Sequence, residues 1–528
     1  MGSIQVSHLG WRLPGGADLL RDVTFSVGDG DRAALVGANG VGKTTLMRLV
    51  AGELSPTSGA LRIDGRLGVM RQLVGAADAT PDAPATVREL LVSLAAPGLQ
   101  RVARRLAAAE RRSADDPMAY ARALADWGDH GGYAAELLWD ECTTRAVGLG
   151  LTEIGDRPLR TFSGGEQKRM ALEVLLRGDD DVLVLDEPDN FLDVPTKRWL
   201  ERELRSTRKT VLFVSHDREL LAATATRIVT IEAEGAWTHG GGFAGYAAAR
   251  QSHLDKLSKD RSLYDDERKR LQDLVAEMRR RASFSEVFAP KLKAAESRLR
   301  QFEERNERPV EVREQRIDVR LGGARTGKRA VMIEQLELAG LTDPFDLELW
   351  FGERVAVLGG NGVGKSHFLR LLGGDDAVEH DGRFRLGAGV VAGLFHQTHE
   401  HPEWTGRTLL EILHDHDVVR GPAMGMLRRY ELQGCAEQPF DTLSGGQQAR
   451  FQILLLERSG ATLLLLDEPT DNLDIVSAEA LEHGLAQFTG TVIAVTHDRW
   501  FLRGFDRFVV FGSDCTVSDH MEVPAAWR

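Results

Sequence analysis

Long apolar runs are missing from this chain of 528 residues. No window reaches the ~18 uninterrupted apolar residues that a membrane-crossing helix needs. Cysteine is scarce. Cys142, Cys435 and Cys515 lie far apart and form no CxxC pair, which argues against a disulfide framework, a zinc site or an iron–sulfur cluster and fits a reducing compartment. The opening stretch Met1–Leu13 has neither a basic n-region nor an apolar h-region, so no secretory signal is expected and a cytoplasmic location is. Positive charge is also in deficit, with a formal net charge of −13. Spread evenly, that deficit would argue against a nucleic-acid partner. What is present is ordinary globular composition, 42% hydrophobic and 27% charged, in a chain long enough for several domains with their own cores.

The chain repeats itself. GANGVGKT at Gly37–Thr44 returns as GGNGVGKS at Gly359–Ser366, and FSGGEQKR at Phe162–Arg169 returns as LSGGQQAR at Leu443–Arg450. VLVLDEPDNFLD at Val182–Asp193 returns as LLLLDEPTDNLD at Leu463–Asp474, and VLFVSHDR at Val211–Arg218 as VIAVTHDR at Val492–Arg499. Four matches in the same order mark an internal duplication. Lys43 and Lys365 are 322 positions apart, whereas Ser163/Ser444, Glu187/Glu468 and His216/His497 are each 281 apart. The first half therefore carries 41 extra residues between its phosphate loop and its SGG string. The spacing puts an inserted helical segment within residues 86–131, where ELLVSLAAPGLQRVARRLAAAERR combines helical apolar spacing with an arginine-rich face. It reads either as a docking arm or as a solvated surface excursion.

The repeated motifs carry phosphate chemistry. In each half GxxxxGK[ST] follows an apolar strand (RAALV, RVAVL) and opens an apolar-periodic helix. Gly37, Gly40 and Gly42, like Gly359, Gly362 and Gly364, let the backbone wrap close to phosphates so that successive N–H groups face them; Asn39, Thr45 and Asn361 belong to the same loops. Lys43 and Lys365 are expected on the β- and γ-phosphates, with Thr44 and Ser366 offering hydroxyls to Mg²⁺. Asp186 and Asp467 end apolar strands where a carboxylate meets the metal shell. Glu187 and Glu468, one step further, are set to polarise an attacking water.

SGG(E/Q)Q ahead of a carboxylate strand resembles the ATP-binding cassette ATPases, and the resemblance covers both halves. It implies an α/β fold: two P-loop NTPase cassettes, residues 1–247 and 326–528, joined by an α-helical hairpin linker over 248–325. It implies two ATP sites, each shared between cassettes. One pairs Lys43, Glu187 and His216 with Ser444, Gly445 and Gly446. The other pairs Lys365, Glu468 and His497 with Ser163, Gly164 and Gly165. His216 and His497 then stand as γ-phosphate-sensing switch histidines, Gln72 and Gln397 as metal-shell glutamines, and Asp193 and Asp474 as residues between sites. Both sites keep every part, so both are expected to hydrolyse. An aromatic stacking on adenine is wanting: Leu13, with Trp11 beside it, and Leu341 stand at that place by spacing.

The join between the cassettes separates the members of this family. Residues 251–316 are highly charged and read as two helices broken at Ala289–Pro290, with a tip near Arg279–Lys293. Across Arg268–Arg300 ten Lys/Arg face four Asp/Glu, a net of +6 that leaves −19 on the remainder. A basic spike on an acidic body suits a phosphate-lined cavity; charge alone favours a solvated linker coiled coil over that reading. Two cassettes without a membrane domain and with such a linker resemble the ABC-F proteins, with Asp189 and Phe191 where that family usually has Thr and His. The resemblance implies a monomer that pairs its own cassettes and binds the ribosome, its linker reaching ribosomal RNA and peptidyl-tRNA in the exit site, with no stable membrane subunit. It implies tuning of translation or protection from antibiotics, and the short turn of the linker leans to the former. The competing class is a tandem motor for a membrane transporter, which has no use for a basic hairpin. A DNA-repair cassette ATPase would bring zinc cysteines or a long coiled coil.

Overall fold

The structure, a computed structural model, describes residues 2–71, 84–232, 235–306, 308–309, 317–323, 326–396 and 401–527. Each half is built on a six-stranded sheet. In the first half the order is Leu67–Met70, Val182–Asp186, Thr210–Val214, Arg32–Val36, Arg227–Glu232, Gly235–Gly240, all parallel except the last pair. The central strands are buried at every position, as apolar five-residue runs covered on both faces must be. A second, antiparallel sheet pairs Ser3–Arg12 with Asp18–Val27 and Ser58–Asp64. The core between the two sheets holds Ile4, Val23 and Leu35 together with Leu46 of the phosphate-loop helix Lys43–Val50. The second half repeats this plan around Arg354–Gly359, Leu463–Asp467 and Thr491–Val495.

Parallel strands place functional loops at one edge of the sheet, beyond the carboxyl ends. The phosphate loop leaves Arg32–Val36, Glu187 follows Asp186, and His216 follows Val214, so all three motifs of the first half meet there. Asp186 pairs with Val214 in register, as Asp467 does with Val495.

The extra residues of the first half take a definite place. Helices Val87–Leu94 and Leu409–Asp415 are counterparts, each capped by a threonine, and isolated bridges Thr86–Pro158 and Thr408–Pro439 close the same loop in both halves. The helices Pro97–Glu110 and Pro117–Asp129 have no equivalent among the described residues of the second half. The single helical pattern read from the sequence is thus broken at Pro97, which opens a new helix at a position where its missing N–H costs nothing.

The linker is a hairpin of helices Tyr246–Ala282 and Ala289–Arg305. The first has 37 residues, about 55 Å at 1.5 Å each. Apolar contact between the arms is thin: Val275, Ala295 and the Tyr264–Phe302 ring pair at 5.0 Å. Arg268–Glu303 (2.8 Å) and Arg279–Glu296 (3.0 Å) tie the arms across. Phe284 and Val287 at the tip are 90% and 76% exposed. At the base, Trp237 of the first sheet stacks on Tyr246 and His253, which plants the hairpin on the first cassette.

Candidate functional site: two composite phosphate sites

Glycine makes both phosphate loops possible. Gly42 and Gly364 cap their helices at φ of 106° and 96°, where a side chain is strained. A Cβ at Gly364 would lie 3.2 Å from Leu341 Cβ, and one at Gly42 would lie 3.0 Å from Leu20 Cδ2. Leu341 therefore stands beside its phosphate loop, as the spacing suggested. In the first half Leu19 and Leu20 lie against the phosphate loop, and Leu13 is exposed in the turn after Arg12.

Lys43 Nζ donates to the carbonyls of Gly37 (2.8 Å) and Ala38 (3.1 Å), and Lys365 Nζ to those of Gly359 (2.8 Å) and Gly360 (2.7 Å). Burial lowers both lysine pKa values, opposed by carboxylates of both cassettes: Asp474, Glu187 and Asp186 act on Lys43, and Glu468, Asp467 and Asp193 on Lys365. Thr44 and Ser366 follow directly, at the first turn of each helix. Asp186 is raised by burial, against Lys168 and Lys43, and its Oδ1 is buried with no hydrogen-bond partner among the described residues. A buried anionic oxygen at the end of a strand that packs against the phosphate-loop helix suits a hard divalent cation, so the residues fit Mg²⁺. Gln72 and Gln397 lie outside the described residues.

The signature strings face the opposite cassette. Ser163 and Ser444 cap the helices Gly164–Arg177 and Gly445–Arg458 in capping boxes with Glu166 and Gln447. A Cβ on Gly446 would strike Asn39 Nδ2 at 2.0 Å, and one on Gly165 would come within 3.5 Å of Asn361 Nδ2. Asn39 donates through its backbone N–H to Asp474 (3.1 Å) and through Nδ2 to the carbonyl of Asn472 (2.8 Å). Asn361 Nδ2 donates to the carbonyl of Phe191 at 3.1 Å. Both asparagines were expected on nucleotide; here their amides bridge the cassettes. Further out, Arg218 pairs with Glu482 and Arg499 with Glu201, two ion pairs related by the 281-residue register.

The carboxylates differ in their surroundings. Glu187 and Glu468 share a left-handed backbone, φ 48° and 46°, and each N–H donates to the strand beside it. Glu187 accepts a hydrogen bond from Asn190 Nδ2 at 2.6 Å. Glu468, buried, accepts from the His497 N–H at 3.1 Å and lies 3.5 Å from His497 Nε2. Burial raises Glu468 and, with Lys365 and Lys197, pulls His497 down to about 3, so the pair is not ionic. Burial and Lys43 likewise hold His216 down to about 3. Trp527 stacks on His497, 6.0 Å between rings, and Arg198 of the first cassette holds the Ala525 carbonyl. No motif pointed to Trp527 or Lys197, and the repeated string that contains Lys168 gave that lysine no role. The lysines could have been found by setting the halves in register, where alanines stand opposite them.

Residues 20–190 and 342–471 match the family described as "ABC transporter". The chain is 50% identical to an "Antibiotic resistance protein" of Mycobacteroides abscessus over 99% of both chains. It is 29% identical to "ABC transporter F family member 5" of Arabidopsis thaliana over 96% of this chain and 74% of the other. Among solved structures, "RNase-L Inhibitor" superposes with a TM-score of 0.57 at 18% identity, covering 96% of this chain and 87% of that one, a likeness of fold. Among the described residues no helix is long and apolar enough to cross a membrane. The chain therefore belongs to the ATP-binding cassette family, in its ABC-F branch, and is an ATP hydrolase.

Proposed function

We propose that this ATPase binds the ribosome, that ATP-driven closure of its cassettes inserts the hairpin Tyr246–Arg305 into the tRNA exit site, and that hydrolysis withdraws it. The observation that carries this reading is the hairpin itself: a net of +6 over Arg268–Arg300 on a body of −19, with Phe284 and Val287 bare at its tip. A cation-rich rod is drawn to a phosphate-lined cavity, and exposed apolar groups at its end need something other than water to meet. The short turn points to a general translation factor. The name of the half-identical Mycobacteroides protein favours protection from an antibiotic, and that is the outcome we adopt.

Within each site, Lys43 and Lys365 hold β- and γ-phosphate charge while the signature serines and glycines of the other cassette close from the far side. Thr44, Asp186 and Gln72, and Ser366, Asp467 and Gln397, would hold Mg²⁺, which supplies charge neutralisation on the phosphates. Glu187 and Glu468 orient and polarise the attacking water; His216 and His497, held neutral by burial, accept or donate a hydrogen bond at the γ-phosphate without adding charge.

The test is the doubly substituted Glu187→Gln, Glu468→Gln chain. With ATP it is expected to co-sediment with 70S ribosomes. The same chain with Arg279, Arg280, Arg281, Lys291 and Lys293 changed to glutamate is expected to stay in the supernatant. A chain that remained free of ribosomes in ATP, or pelleted with membranes instead, would end the translational reading.

A further inference from the structure

The positions at which the 281-residue register pairs unlike residues include four that carry charge in one half and none in the other. Lys168 of the first signature helix corresponds to Ala449, and Lys197, in the helix Val194–Ser206, corresponds to Ala478. Asp189 corresponds to Thr470, and Asp471 to Asn190. The four departures meet. Asp189 of the same cassette and Asp471 of the other both act electrostatically on both lysines.

Each lysine also touches the backbone of a residue assigned to hydrolysis. Lys168, fully buried, donates from Nζ to the carbonyl of Glu187 at 2.5 Å. Lys197, also buried, reaches across to the carbonyl of His497 at 3.4 Å and pairs with Asp217 at 3.0 Å. We propose that Lys168 and Lys197 are positioning residues, Lys168 for Glu187 and Lys197 for His497, and that they join the two hydrolysis sites through one asymmetric charged network. The proposal rests on the assignment of Glu187, Glu468 and the two histidines given above.

Packing does not account for these side chains. The second cassette fills the same two places with alanine and keeps the same fold, whereas burying an ammonium is costly unless its partners repay it. Burial does lower Lys168, to about 8, against the pull of Asp189, Glu187 and Asp186. For Lys197 burial is outweighed by Asp217, Asp189 and Asp471, and its pKa rises.

The geometry gives the network a direction. The helix that carries Lys168 begins at Ser163–Gly165, facing Asn361 in the site of Lys365 and Glu468. One turn in, the same helix grips Glu187 of the other site. Closure on nucleotide at the second site therefore bears on the carboxylate of the first. Ala449 gives the opposite helix no such grip on Glu468.

The test isolates each site in the full chain. Glu468→Gln leaves the first site to hydrolyse and Glu187→Gln leaves the second, and single-turnover ATP hydrolysis is read in each background. Lys168→Ala is expected to slow the first site about ten-fold and the second less than two-fold; Lys197→Ala is expected to do the reverse. Lys168→Arg, which keeps the donor, restores at least half of the lost rate. Should Lys168→Ala misfold, the pair Lys168→Ala, Asp189→Thr reproduces the second cassette's own residues and is read in the same way. Equal loss at both sites would reduce the lysines to structural groups, and no loss at either would remove the network; both outcomes overturn the proposal. Hydrolysis surviving in the Glu187→Gln, Glu468→Gln chain would instead overturn the site assignment on which it stands.

Discussion

The two composite sites share a parts list and differ in wiring. In the first, Glu187 leans on Asn190 and is gripped from behind by Lys168. In the second, Glu468 is bound to its own switch histidine, His497, which is packed under Trp527 and reached by Lys197 from the other cassette. The first carboxylate is thus steadied by an amide and an ammonium of its own cassette, the second by a histidine that the other cassette also reaches. Motif completeness is a statement about chemistry and says little about timing.

The sharpest way to break the comparison is to remove the carboxylates. Glu187→Gln and Glu468→Gln together are expected to cut steady-state ATP hydrolysis by about 10²-fold or more. The single variants are expected to differ from each other in residual rate, and identical residual rates would mean that the wiring is silent. Signature glycines come next. Gly446→Ala places a methyl 2.0 Å from Asn39 Nδ2 and 2.8 Å from the Asn472 carbonyl, whereas Gly165→Ala meets chiefly the Phe191 carbonyl at 2.7 Å. Gly446→Ala should weaken ATP-induced closure about ten-fold and Gly165→Ala by less, read as the ATP concentration needed for half-maximal closure.

Arg218 and Arg499 offer the control, because their ion pairs obey the register. Arg218→Ala and Arg499→Ala should each destabilise the closed form by about 2 kcal/mol, and equally, in the same titration; each side chain is largely buried and leaves a glutamate behind. The smallest effect is one of pH. Burial, and then Asp217, pushes the Asp189 carboxyl up to about 6. Such a raised carboxyl binds a proton in the folded state that the unfolded chain releases near pH ~4. Folded stability is thus favoured below that lower value and declines as pH rises toward about 6. Asp189→Thr, the residue of the second cassette, should flatten the slope of melting temperature between about pH 4 and 6.

Much of this was legible in sequence because local motifs carry their own geometry. A glycine-rich loop between strand and helix, or Asp–Glu at the end of four apolar residues, folds in one way, and the structure brings Lys43, Asp186, Glu187 and His216 to one sheet edge as the order of motifs implied. The helical hairpin was legible because charge and a proline marked its arms and tip. What escaped is tertiary. Asn39 and Asn361 sit in phosphate-loop strings, yet only the opposing cassette shows that their amides reach across. Leu19 and Leu20 lie against Gly42, a neighbourhood that depends on how the strand Asp18–Val27 returns and that no motif marks. Lys168 and Lys197 are ordinary surface residues by type, yet Lys168 is buried against the Glu187 carbonyl of its own cassette and Lys197 reaches a carbonyl 300 residues away.

The paired threonine–proline bridges, Thr86–Pro158 and Thr408–Pro439, carry a practical consequence. They show that the loop closes identically with and without the helices Pro97–Asp129. The second cassette is in that respect a natural deletion variant of the first, and its connection between Asp415 and Arg420 is a ready graft for excising the extra helices. A chain trimmed in this way would separate what the appendage recognises from what the motor does, using a junction the molecule already contains.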